Sequence, residues 1–215
     1  MDNKTEDIKL TEVTKEGIEA FLASGFTKGV GKVYARKIVD KFGEKILQPD
    51  FDFRGSLKEI PGLGENKIEE FVSSINGLKV PLRVLAFLYS AGLKDVEVEK
   101  IVSHYGKRLE KVISWDPYDM VENVWKLSFF TADKIGKFMN VASDDPRRLK
   151  GALLTAVKFY AEEGNMFATE SQTLQTASRI SKVEEEKIRP AIDSLIENGR
   201  IISDETGGYY NGEKI

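Results

Sequence analysis

Apolar positions along this chain recur at helical spacing for most of its length. Val33, Tyr34, Ala35, Ile38, Val39 and Phe42 fall on neighbouring turns and predict a helix over 32–42, stopped by Gly43 at a typical position just past a helix end. Before it, Ile18, Phe21 and Leu22 form the apolar side of a short helix, KEGIEAFLAS, with Thr14 as its N-cap. After it the pattern predicts a short helix SLKEI from Ser56, a helix ENKIEEFVSSI, and a helix over 81–91 opened by Pro81. A long amphipathic helix follows over 149–164. The C-terminal stretch changes character. A short MFAT segment, a helix SQTLQTASRI, a helix starting or bending at Pro190, and an alternating IISDETGGYY tail with Gly207-Gly208 give the order helix, strand, helix, helix, hairpin.

The turns between the helices carry the more informative signal. Gly29-Val30-Gly31 opens directly into the helix beginning at Lys32, and Gly62-Leu63-Gly64 opens into the next in the same way. Glycines at such a turn permit positive φ and close backbone approach, and a helix start presents free N–H groups that suit an anion. Taken alone, one such turn fits an ordinary helix-turn-helix connection equally well. A longer repeat adds weight: shifted by 63, the segment Ala35–Gly43 falls on Val98–Gly106 with Lys, Ile, Val and Gly matched, and Gly29 falls on Gly92. Shifted by 64, Leu63 falls on Leu127 and Phe71 on Ile135. Residues 24–86 and 87–148 therefore read as two halves of a duplicated array. In the second half Gly31 is replaced by Lys94, Gly62 by Lys126 and Gly64 by Ser128, so that half is expected to be degenerate and mainly structural.

Composition narrows the class. The 215 residues are 41% hydrophobic and 31% charged, with no cysteine, which excludes disulfides and thiolate metal sites and fits a cytoplasmic protein. No apolar run is long enough for a membrane helix, and the N-terminus is acidic and polar. Net charge is −3, but residues 24–86 hold 11 basic and 8 acidic side chains, while residues 151–215 hold 7 and 11. The one clearly positive segment is the one with the glycine turns, pointing to local phosphate contact rather than a broad basic face.

The order SGFTKGVGKVYARKIVDKFG, EIPGLGENK, FLYSAG, KIVSHYG, DPYDMVENVWKLSFFTADKIG and DDPRRLKGALLTAVKFYAEEGNMF resembles the N-terminal region of RecD-like (RecD/TraA-type) bacterial DNA helicases. The resemblance implies a mainly α fold: a lead and first helix over 1–23, helix-hairpin-helix pairs over 24–86 and 87–148, and a winged-helix-like module with a small β-hairpin over 149–215. It also implies sequence-independent contact with the DNA phosphate backbone through Lys28, Gly29, Val30, Gly31 and Lys32, and through Gly62, Leu63, Gly64, Asn66 and Lys67. Glu65 is a poor neighbour for a phosphate, so the first hairpin is the better candidate. No G-x-x-x-x-G-K-[ST] sequence is present, so ATP and Mg are expected only for motor domains outside this chain, which is read as a non-enzymatic fragment of a helicase. The other readings are a protein-interaction scaffold with relic hairpins and a stand-alone repair or recombination factor.

Remaining candidates carry less. His104, the sole histidine, lacks partners at ligand spacing. Glu184-Glu185-Glu186 reads as a solvated helix start, and Trp115 and Trp125 read as packing residues rather than base-stacking ones. The acidic balance of 151–215 suits contact with helicase motor domains better than groove reading.

Overall fold

The computed structural model describes residues 12–162, 167–203 and 207–212. It is mainly helical with one small antiparallel sheet and divides into two compact units, Met1–Trp115 and Asp116–Ile215. The division falls between the third and fourth hairpins. The expected lead lies almost wholly outside the described residues.

In the first unit, α1 (Lys15–Leu22) starts at Thr14, whose hydroxyl accepts the Gly17 N–H. It is followed by α2 (Lys32–Phe42), a 3₁₀ turn at Gly43–Leu47, α3 (Phe53–Leu57), α4 (Glu65–Asn76), α5 (Leu82–Ser90), α6 (Asp95–Tyr105) and α7 (Leu109–Trp115). The short helix expected from Ser56 begins instead at Phe53, because the Asp52 carboxylate takes the Gly55 N–H and caps three residues earlier. Ile18, Phe21, Leu22, Ile38, Phe71, Leu85 and Ile101 form the buried core. Gly17 lets α1 cross α5 closely: a Cβ there would lie 2.6 Å from the Ser90 backbone, and the Ser90 hydroxyl takes the Thr14 N–H at 2.9 Å.

The second unit runs α8 (Met120–Asn123), α9 (Phe129–Phe138), α10 (Pro146–Glu162), β1 (Ala168–Thr169), α11 (Glu170–Ser181), α12 (Glu185–Ile188), α13 (Pro190–Glu197), β2 (Ile201–Ser203) and β3 (Gly208–Asn211). Thr169 caps α11 through the Gln172 N–H. Pro190 opens α13 at its first position, where a missing N–H costs nothing. The strands lie in the order β1-β3-β2, all antiparallel, with Ile202 opposite Tyr210 and Ala168 opposite Tyr209. The tail thus pairs as a hairpin, its connecting residues 204–206 lying outside the described set. Leu153, Ala156, Val157, Leu174, Ala177, Ile188 and Ile201 are buried between α10, α11 and the sheet.

Asp133 and Arg148, both buried, form an ion pair at 2.7 Å that ties α9 to α10. Asp133 also accepts the Tyr118 hydroxyl at 3.0 Å and pairs with Lys137 at 2.9 Å. Burial alone would raise Asp133, but the hydrogen bonds from Arg148, Lys137 and Tyr118 outweigh it and hold its carboxyl below the ordinary carboxylate range. Burial pushes the Tyr118 hydroxyl up in the same place.

Candidate nucleic-acid interface

The hairpins share one backbone course. The first position is left-handed in each: φ is 76° at Gly29, 84° at Gly62, 79° at Gly92 and 52° at Lys126. The next residue, Val30, Leu63, Leu93 or Leu127, is buried. The third is extended and caps the following helix: Gly31 (φ −95°), Gly64 (−75°), Lys94 (−92°) and Ser128 (−81°). Only the first position needs left-handed backbone, which suits glycine. Lys94 and Ser128 replace glycines that any residue can follow, and Lys126 adopts the left-handed turn itself. Both hairpins of the second half thus keep the backbone course of the first two despite the glycine losses.

The first two hairpins are packed reciprocally. A Cβ at Gly29 would lie 2.5 Å from the Lys67 carbonyl oxygen in the first turn of α4, and the Lys28 N–H donates to the Ser74 hydroxyl at 3.1 Å. In return, the Tyr34 hydroxyl of α2 donates to the Gly62 carbonyl at 2.5 Å, and Lys37 and Lys41 reach the Pro61 and Glu59 carbonyls at 3.2 and 3.4 Å. A shift of 33 places Tyr34 on Lys67 and Lys41 on Ser74, so equivalent helix positions clamp the opposite hairpin. Gly29 is thus occupied by close approach of the protein's own backbone. Gly31 and Gly64 are exposed, with nothing within 4 Å of a Cβ placed there.

Hydrogen bonding separates the hairpins. The Leu63 N–H donates to Ile60 at 3.2 Å, Leu93 to Leu88 at 3.2 Å and Leu127 to Val124 at 3.1 Å. Leu63 is therefore not a free phosphate donor, which narrows the second hairpin to Gly64 and the residues after it. In the third hairpin the Glu97 carboxylate takes the Lys94 N–H at 2.8 Å and so occupies the anion position itself. Among the described residues, no acceptor takes the N–H of Val30, Gly31 or Lys32. Lys28, Lys32 and Lys67 are exposed, and no carboxylate pairs with them among the described residues. Lys67 and Lys37 sit 5.1 and 5.4 Å from the Tyr34 ring centre, which fixes two cations beside the turns. Glu65 is held by Lys58 at 3.1 Å, and Asn66 is exposed on the same turn.

Sequence reasoning missed the Tyr34 and Ser74 clamps, although the 33-residue shift carried that signal. It also placed the tryptophans in the packing. Trp115 and Trp125 are instead 63% and 80% exposed. Among the described residues no group of three or more His, Cys, Asp or Glu could hold a metal ion, and no helix is long and apolar enough to cross a membrane.

These features describe a mainly helical chain whose helices are joined by hairpins of one repeated geometry. Residues 82–167 match the family described as the helix-hairpin-helix domain of the ATP-dependent RecD2 DNA helicase. The chain is also 30% identical over 200 residues to the ATP-dependent RecD2 DNA helicase of Deinococcus radiodurans, an alignment covering 91% of this chain and 27% of that relative. The resemblance to the helix-hairpin-helix region of RecD-like helicases is thereby borne out, and the chain corresponds to about a quarter of that helicase's length. The matched domain includes the third and fourth hairpins, those that had lost glycines.

Proposed function

We propose that this chain is the DNA-engaging accessory region of a RecD-like helicase, gripping the phosphate backbone without reading sequence. The observation that carries the reading is the first hairpin. Its Val30, Gly31 and Lys32 amides have no acceptor among the described residues, and the exposed, carboxylate-free Lys28, Lys32 and Lys67 stand beside them. A phosphate placed there meets backbone N–H donors at a positive helix end together with point charges, a combination that gives affinity but no base selection. The second hairpin contributes Gly64, Asn66 and Lys67 as a weaker half of the same grip. Tandem helix-hairpin-helix units followed by a winged-helix-like module over 149–215 form the architecture of this reading, with the module facing motor domains rather than DNA. ATP and Mg belong to those motor domains.

Fluorescence anisotropy on a labelled duplex of mixed sequence tests this. Lys32→Glu and Lys67→Glu should each weaken binding several-fold, whereas Lys107→Glu, an equal charge change at an exposed lysine after α6, should weaken it much less. Equal losses at all three positions would reduce the hairpin to general electrostatics.

A further inference from the structure

The fourth hairpin differs from the first in the residues it exposes. Aligned on the left-handed position, Trp125 stands where Lys28 stands and Phe130 stands where Val33 stands. These two positions flank the turn and the helix start on its outer rim. In the fourth hairpin both are aromatic, with Trp125 80% and Phe130 58% exposed. Between them, Lys126 reaches over the Trp125 indole at 5.6 Å. No aspartate or glutamate occurs from Asn123 through Ala132, so the turn itself supplies two exposed rings and one cation.

The base beneath this tip is rigid. Phe129, next to Phe130, is fully buried, lies 5.9 Å from the Tyr118 ring and has the Arg148 guanidinium 5.6 Å from its own centre. Asp133 one turn later is locked by Arg148 and Tyr118. Leu127 is buried and bonded to Val124, and Ser128 caps α9 through the Thr131 N–H at 3.2 Å. Burying large rings is the ordinary outcome for Trp and Phe. Here the core-facing positions of the turn are already filled by Leu127 and Phe129, leaving Trp125 and Phe130 to solvent.

We propose that the fourth hairpin is a stacking site for unpaired nucleobases, with Trp125 and Phe130 as the platforms and Lys126 as the contact to the connecting phosphate. Exposed rings with an adjacent cation suit single-stranded nucleic acid, whose bases offer free faces and whose backbone is anionic. A duplex buries those faces in its own stack. The positional analogy rests on the role proposed for the first hairpin, but the exposed rings and the charge pattern do not.

The test uses the full 215-residue chain carrying Trp115→Phe, so that Trp125 is the one indole. Titration with oligo(dT) of 15 nucleotides should quench Trp125 emission saturably, and a blunt 15-base-pair duplex should not. In anisotropy, Trp125→Ala and Phe130→Ala should each weaken oligo(dT) binding by about 5- to 150-fold, the range expected for one stacked base, and leave duplex affinity within about 2-fold. Both positions are exposed, so these variants should fold. Unchanged emission, or oligo(dT) affinity unchanged in both variants, overturns the proposal, including the case in which the tip meets a protein instead. If Lys28→Glu/Lys32→Glu abolishes all binding and Trp125 never responds, the first hairpin stands and this site falls. If duplex binding is absent and the quench is present, the reverse holds.

Discussion

Gly29 faces the carbonyl oxygen of Lys67 so closely that an alanine Cβ would lie 2.5 Å away, and its φ of 76° already excludes most side chains. The glycine that looked made for a ligand is therefore used to seat the first hairpin against α4. Gly31, two residues on, has an ordinary φ and open space around it. Packing rests on Gly29, while Gly31 leaves its side of the turn open.

This separation predicts opposite behaviour for two similar substitutions. Gly29→Ala should destabilise the chain by about 2 to 3 kcal/mol through left-handed strain and backbone overlap. Gly31→Ala should change stability by less than about 1 kcal/mol, since its backbone is one any residue adopts. Urea unfolding followed by far-UV circular dichroism measures both. Equal stability losses would contradict the division of roles.

Asp133→Asn should cost about 3 kcal/mol or more, because it leaves Arg148 buried without its carboxylate. The sign with pH follows from the depressed Asp133 and Asp145, the latter held down against burial by Arg147. A carboxyl lower in the folded than in the unfolded chain adds stability above its unfolded value near 4, and that stability is lost as pH falls through the folded value. The wild type should thus lose stability steadily from about pH 5 downward, and Asp133→Asn should flatten that slope. Thermal melts between pH 3 and 7 check it; an unchanged slope would assign acid sensitivity elsewhere.

Lys126 holds a left-handed φ of 52° without glycine's freedom. Lys126→Gly should therefore raise stability, by about 0.5 to 1 kcal/mol. The same change should weaken binding of oligo(dT), since it removes the cation over Trp125. A variant both less stable and equally competent for the oligonucleotide would refute both halves.

How far the sequence could be read depends on what kind of information each feature carries. Helix starts at Lys32 and Glu65 and the 63-residue recurrence were legible, because periodicity and glycine punctuation are local. The observed α2 and α6 are offset by 63 at both ends, and the φ of Gly43 and Gly106, 57° and 51°, agree as well. What misled was treating both glycines of a Gly-apolar-Gly turn as equal. Their roles differ in φ, and that distinction appears only in the folded backbone. Lys126 in a left-handed turn and Glu97 closing the third hairpin's amide are tertiary outcomes that propensity does not reveal. The Trp125 exposure was hidden for a related reason: Leu127 and Phe129 compete with it for the same core, and burial cannot be divided among neighbours from composition.

The central claim, phosphate contact at the first hairpin, is tested most directly by the salt dependence of duplex binding. Affinity of the 215-residue chain should fall linearly on a log–log plot between 50 and 200 mM NaCl, about one unit of slope per phosphate neutralised. Lys28→Glu/Lys32→Glu should lower affinity and flatten the slope by about 1 to 2. A duplex affinity that ignores salt, or a slope left unchanged by that double variant, would contradict the account.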